Sequence, residues 1–199
     1  RKLLVGGSGL ALGLPKNFGH APAAANWTGH SGKAVVLSGS CSVATRAQVA
    51  SYKAIAPSRE LTVDDIMAKA LSVQEIAGWV LRQDASPLLY SSADPEVVGA
   101  AQQKYGREKS AAAIEQFFSD LAASLFSAGV SRMVVAGGET SGAVVSGLGA
   151  NTLDIGPKIA PGVPALKVSG QPLALALKSG NFGGPNFFSE ALSVLETSR

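Results

Sequence analysis

The sequence predicts an α/β protein: a Rossmann-like layered fold in which a mostly parallel sheet is flanked by helices. Three observations predict it. Short apolar runs of strand length end repeatedly in Gly/Ser clusters that lead into helix-like stretches. One long segment, roughly 107–127, places Ile114, Phe117, Phe118, Leu121, Leu125 and Phe126 in a single stripe at helical spacing. The composition is 46% hydrophobic and 16% charged, with 23 glycines and 10 prolines in 199 residues, which suits one turn-rich domain with a sizeable core.

Taken in order, residues 2–5 are an apolar run expected to form a strand, followed by a glycine turn at 6–9 and a helix-like run at 10–14 that stops at Pro15. Residues 19–33 are small and polar and read as a surface loop. Their Gly29-His30-Ser31-Gly32-Lys33 is not a phosphate loop, because Trp27 stands where the first glycine is needed and Ala34 follows the lysine. Residues 34–37 are the next strand, then the turn 38–42 and a helix over 43–55, with Ser42 as its cap. A short strand is expected at 60–63, a new segment from Asp64, a helix at 73–83 and a strand at 87–90. The turn 91–95 follows, in which Asp94 or Ser92 can cap a further helix. The long helix ends at Gly129 and leads to a strand at 132–136. Gly137, Gly138, Glu139, Thr140 and Ser141 then open a helix over 142–149. Residues 153–164 are turn-rich and are expected to hold a short strand and a loop. The last strand is 173–177 and the terminal helix 187–195.

Four turns share one form, strand then Gly/Ser cluster then helix: 6–9, 38–42, 137–142 and 179–184. In a parallel sheet such turns share the edge at the carboxyl ends of the strands, where open α/β sheets bind ligands. Glycines let backbone approach a ligand, and helix starts offer unpaired N–H groups with a positive dipole end. The turns therefore suggest a polar cleft for phosphates. Lys178 supplies a nearby charge or is a solvated surface residue; Phe182 packs against the sheet or covers a base. Cys41 is either a reactive thiol at a helix start or a small residue that fits.

Other chemistries find no support. His20 and His30 are isolated in a loop, so neither a zinc set nor a histidine triad is in view. There is no Gly-x-Ser-x-Gly elbow and no pair of carboxylates placed for acid–base work, so no catalytic residue and no metal ligand is assigned. A formal net charge of +3 without a basic run implies neither a nucleic-acid nor a membrane surface. One cysteine excludes an internal disulfide and fits a reducing cytoplasm. No apolar stretch is long enough to span a bilayer, and there is no signal peptide.

Three stretches taken together resemble a known family. They are Ser38-Gly39-Ser40-Cys41-Ser42 continuing to Thr45 and Gln48, then Ala136-Gly137-Gly138-Glu139-Thr140-Ser141-Gly142, and then Ile155-Gly156-Pro157 through Pro164 to Leu175 and Gly183. The pattern is similar to the nucleotide-binding C-terminal half of the four-carbon acid sugar kinases, especially to the 3-oxo-tetronate kinase branch, over nearly the whole chain. The resemblance implies a single nucleotide-binding domain over 1–199 and phosphorylation of the terminal hydroxyl of a four-carbon acid sugar by ATP. It implies ATP contacts at Ser38 or Ser40, with a slight preference for Ser40, and at Gly137, Gly138, Glu139, Thr140 and Gly180. Magnesium is expected with ATP, with Glu139 either helping to hold it or capping its helix. Lys158 and Pro185-Asn186 depart from the family pattern and bear on the substrate branch. The sugar acid is implied to sit in an N-terminal domain absent from these residues, which agrees with a start at Arg1 without an initiator Met. The alternatives are a stand-alone nucleotide- or phosphate-binding module without catalysis, or a kinase for erythronate or threonate. Assembly into a homo-oligomer is left open.

Overall fold

Strand β1 (Lys33–Ser38) carries an unbroken apolar run after Lys33, and a strand of that kind needs cover on both faces. The computed structural model describes residues 3–6, 8–21, 26–91 and 94–196 and provides that cover. The further strands among them are β2 (Ser58–Glu60), β3 (Leu88–Tyr90), β4 (Val130–Ala136), β5 (Leu153–Ala160), β6 (Val163–Val168) and β7 (Ala174–Lys178). They form one sheet in the order β2-β3-β1-β4-β7-β6-β5. The first five in that order run parallel, and β6 and β5 continue the sheet antiparallel.

The helices, in chain order, are α1 (Ser8–Ala11), α2 (Leu14–Asn17), α3 (Val43–Lys53), α4 (Val63–Met67), α5 (Val73–Leu81), α6 (Pro95–Tyr105), α7 (Arg107–Ser127), α8 (Gly138–Gly147) and α9 (Phe187–Leu195). Helices cover both faces, α5 and α7 on one and α3 and α9 on the other. Strand residues of alternate parity feed two cores, because successive side chains point to opposite faces. Val35, Leu37, Met133, Val135 and Leu175 pack with Phe117, Phe118, Leu121 and Leu125 of α7 and with Ile76 and Val80 of α5. Val36, Val134, Ala174 and Ala176 pack with Val49 and Tyr52 of α3 and with Phe187, Phe188 and Leu195 of α9. The Tyr52 and Phe188 rings meet edge-on at 5.8 Å, and the Tyr52 hydroxyl donates to the Ser86 carbonyl at 2.8 Å.

Several elements differ from the sequence expectation. Residues 3–5 are not a strand: Leu3 is 90% exposed and Val5 86%, and the turn expected at 6–9 is not part of the sheet edge. Lys2 and Gly7 lie outside the described residues. An apolar run becomes a strand only beside a ladder, and β1 already has β3 and β4 on its two sides. The strand expected at 60–63 lies earlier, at β2, because Thr62 caps α4 by accepting from Asp65 N at 3.1 Å. Asp94 stands at the start of α6, yet its carboxylate makes no cap bond and pairs with Arg46; Ser92 lies outside the described residues. The stretch 153–164 is the first strand and the turn of a hairpin, β5–β6, turning at Pro161-Gly162. Helix α8 starts at Gly138, four residues earlier than expected, so Glu139 and Thr140 sit inside its first turn.

The long stripe is the chief anchor of one core. Phe118→Ala, which empties a fully buried site in α7, is expected to destabilise the fold by about 3–5 kcal/mol, read from the urea midpoint. A loss below about 1 kcal/mol would mean that the stripe does not anchor this core.

Candidate functional site

The ends of three neighbouring parallel strands stand in register. Ser38 of β1 pairs with Ala136 of β4, and Ala136 pairs with Lys178 of β7. The chain leaves the sheet at the same level each time, and the exits are tied to one another. Gly39 N donates to the Ala136 carbonyl at 2.9 Å, Gly137 N to the Lys178 carbonyl at 2.9 Å, and Ser91 N to the Ser38 carbonyl at 2.8 Å. The turns 38–42, 137–140 and 179–183 thus lie side by side along one edge.

Between β4 and α8 the turn is made by Gly137, at φ 123° and ψ 132°, a conformation that side chains rarely adopt. A Cβ there would also stand 2.9 Å from the Thr140 hydroxyl and 3.4 Å from Ser40 N. Helix α8 opens without a side-chain cap. Its first bond from outside runs from Ser141 N to the Gly137 carbonyl at 2.8 Å, so the N–H groups of Gly138, Glu139 and Thr140 face the edge. Helix α3 starts differently: the Ser42 hydroxyl accepts from Thr45 N at 3.2 Å. Its donors are partly used within the fold, whereas α8 has no side-chain cap.

The third turn is fixed through one carbonyl. Gly180 O accepts from the Ser42 hydroxyl at 2.6 Å, the Thr45 hydroxyl at 2.7 Å and Lys178 Nζ at 3.0 Å. Lys178 also donates to Thr45 Oγ1 at 2.7 Å. One turn further along α3, Gln48 Nε2 donates to the carbonyls of Phe182, Gly183 and Gly184 at 3.0–3.1 Å. Ser42, Thr45 and Gln48 recur every three residues, which places them on one face of the helix start. Gly180 has no positive φ; it is glycine because a Cβ would lie 2.6 Å from Ser40 Oγ and 2.9 Å from Ser42 Oγ.

Of the sequence-predicted residues, Ser40, Gly137, Gly138, Glu139, Thr140 and Gly180 come together in these adjacent turns. Ser38 is fully buried at the end of β1, while Ser40 is half-buried and lies against both Gly180 and Gly137. Gly138 and Glu139 are exposed, and the Thr140 hydroxyl occupies the space that Cβ atoms on Gly39 and Gly137 would need. Lys178 is not a solvated surface residue: it is 1% exposed, and burial pushes its ammonium down from 10.5 to about 8. Phe182 is 37% exposed, and its ring lies against Gly162 in the hairpin turn. The roles of Lys178, Thr45 and Gln48 in fixing the turn were missed as separate features of the sequence. The three-residue spacing of polar groups after β1 was the available signal. Among the described residues, no group of three or more His, Cys, Asp or Glu could hold a metal ion.

These turns are continuous with a known family pattern. A family model described as a nucleotide-binding C-terminal domain matches residues 35–188, which include all three turns. The chain belongs to that family. It is 46% identical over 202 residues to a 3-oxo-tetronate kinase of Brucella melitensis, covering 97% of this chain and 46% of that protein. It is 48% identical over 200 residues to a 3-oxo-tetronate kinase of Pseudomonas savastanoi pv. phaseolicola, covering 97% and 47%. The chain spans about half the length of the curated relatives it matches. Among solved structures, a Haemophilus influenzae protein superposes with a TM-score of 0.80 at 41% identity, covering 85% of this chain and 42% of that one.

The buried ammonium gives a pH signature. The folded state holds the Lys178 proton less tightly than the unfolded chain, so unfolding takes up a proton between about pH 8 and 10.5. Lys178 is therefore expected to make stability rise with pH across that window. Urea midpoints for the parent and Lys178→Met check it; identical pH slopes in the two chains would mean that Lys178 does not titrate there.

Proposed function

We propose that this chain is the ATP-binding half of a kinase that phosphorylates the 4-hydroxyl of a four-carbon acid sugar such as 3-oxo-tetronate. The observation that carries the reading is the register of three strand ends, Ser38, Ala136 and Lys178, from which three linked turns face one edge. The similarity to 3-oxo-tetronate kinases supports the substrate class. In this reading Ser40, the backbone of Gly137, Gly138, Glu139 and Thr140, and Gly180 contact the ATP phosphates, with the positive end of α8 behind them. Ser40 is preferred over Ser38, whose side chain is buried.

Magnesium fits the residues present. Glu139 offers an exposed carboxylate in the first turn of α8, and among the described residues it has no hydrogen bond or ion pair. Magnesium commonly takes one or two carboxylates together with phosphates and water, so an all-protein cage is not required. When bound with ATP it neutralises charge on the β- and γ-phosphate oxygens. The chain's own part is to hold the phosphates and fix the direction of the γ-phosphate, which is most of what phosphoryl transfer asks of a protein.

The sugar acid and the group that accepts its hydroxyl proton belong, in this proposal, to a preceding substrate domain, with residues 1–199 forming the nucleotide-binding domain. The free Cys41 agrees with a cytoplasmic location. No helix among the described residues is long and apolar enough to cross a membrane. Neither nucleic acid nor membrane is a proposed partner.

Calorimetric titration of the chain with ADP and magnesium is expected to give saturable binding; no heat and no thermal shift at millimolar nucleotide would sink the reading. Gly180→Val, which drives a side chain onto Ser40 and Ser42, is expected to weaken ADP at least about tenfold. A folded variant that binds ADP as tightly as the parent would leave Gly180 a turn residue only. Residues 1–199 alone are expected to show no acceptor-dependent ADP release with 3-oxo-tetronate, and addition of the substrate domain is expected to restore it. Robust turnover by the isolated chain would place the acid site within these residues.

A further inference from the structure

The turn after β7 is closed by Phe182 N, which donates to the Ser179 carbonyl at 3.3 Å, with Gly180 and Asn181 at its centre. Turns of this kind have two common forms that differ by a flip of the central peptide, here 180–181, and the flipped form needs a positive φ at the second central residue. Glycine accepts φ of either sign, and asparagine enters the left-handed region at small cost. The Gly-Asn pair therefore leaves the flip open as far as local sequence is concerned. The form adopted has no positive φ at either residue.

Contacts from elsewhere in the fold make the choice. The Gly180 carbonyl points into the protein, where the hydroxyls of Ser42 and Thr45 and the ammonium of Lys178 reach it. Lys178 and Thr45 are both buried and bonded to each other, so ammonium, hydroxyl and carbonyl close a triangle. The 180–181 peptide is trans, so its N–H, carried by Asn181, points opposite to the carbonyl. With the carbonyl held against α3, the Asn181 N–H is turned outward. Asn181 is exposed, and its N–H makes no hydrogen bond among the described residues. Gly180 stands against Ser40, and Ser40 against Gly137, so this donor belongs to the same edge as the start of α8. Donors on a carbonyl also polarise its peptide, which strengthens the N–H on the other side.

We propose that Lys178 is a positioning residue of the anion site: with the Thr45 hydroxyl, its ammonium holds the 180–181 peptide in the orientation that presents the Asn181 N–H to a phosphate. Lys178 itself does not touch the ligand. It is 1% exposed, and its partners lie on the inner side of the turn. The proposal rests on the phosphate reading of this edge and adds why a lysine is buried behind it. An apolar side chain would fill the space with less desolvation. It would leave the carbonyl to two hydroxyls and the peptide freer to flip. An anion that needs the outward N–H then binds only the fraction of molecules that present it, and its apparent affinity falls by that fraction.

Amide NMR spectra of the parent chain, with calorimetry on the parent, Lys178→Met, Thr45→Val, their double variant and Thr45→Ser, test it with ADP and pyrophosphate as ligands. Saturating pyrophosphate is expected to move the Asn181 amide resonance of the parent as strongly as that of Gly138. Lys178→Met and Thr45→Val are each expected to weaken both ligands about tenfold. The double variant is expected to stay within about threefold of the weaker single, because both act through one peptide. Thr45→Ser, which keeps the hydroxyl, is expected to bind as the parent does. An unmoved Asn181 amide in a parent that binds pyrophosphate overturns the proposal without any variant. Losses that multiply in the double variant also overturn it, since a direct contact between lysine and phosphate gives that result. Full affinity in folded Lys178→Met does the same. If the parent binds neither ligand, the phosphate reading of the edge falls and the proposal with it, whereas binding with an unmoved Asn181 amide sinks the proposal alone.

Discussion

The carbonyl of Gly180 is the point on which the candidate site depends. A carbonyl oxygen has two lone pairs, yet this one receives two hydroxyls that α3 and its cap bring from a distant part of the chain, and the ammonium of Lys178 two residues before it. Three donors on one acceptor leave the turn after β7 little freedom. A buried ammonium with no carboxylate contact among the described residues is tolerated because two oxygens and the nearby Phe187 ring surround it. The arrangement determines the residue at 180: the carbonyl is drawn so close to α3 that no side chain fits behind it.

The two helix starts at the edge divide their work. At α3, Ser42 turns one donor inward, and Thr45 and Gln48 grip the neighbouring turn. At α8, a glycine at the cap position leaves the donors open. A hydroxyl residue at 137 would be the usual choice for helix stability, since Ser or Asn caps are worth about 1 kcal/mol over residues that cannot cap. The backbone at 137, at φ 123°, disfavours any such side chain and leaves the start of α8 uncapped.

The sequence made much of this legible, and the limits have physical causes. Elements with their own periodicity were plain: α7 follows from its stripe, and β1 and β4 from uninterrupted apolar runs between turn signals. The glycine turns that meet along one edge were plain too, because a turn leaves its trace in neighbouring letters. What depended on partners was hidden. Residues 3–5 have strand composition but no ladder to join, and β6 is a strand because β7 and β5 flank it. Lys178 reads as a solvated lysine until α3 closes over it. Its burial is a property of the assembled sheet, and no local window contains that information. A cavity under α6 was equally out of reach, since β2, α4, α6, α7 and α8, which line it, meet only in space.

One consequence follows from where the three turns come from. They hang on β1, β4 and β7, strands adjacent in the sheet but widely separated along the chain. No segment carries the cradle alone, and a chain folded only as far as α8 would lack its third wall. An anion that needs all three walls discriminates between the finished sheet and every shorter intermediate. Its binding would thus act on the folding equilibrium as a whole, drawing the closing strand β7 into place and slowing its departure. Occupancy of such an edge is a measure of whether β1, β4 and β7 have all paired.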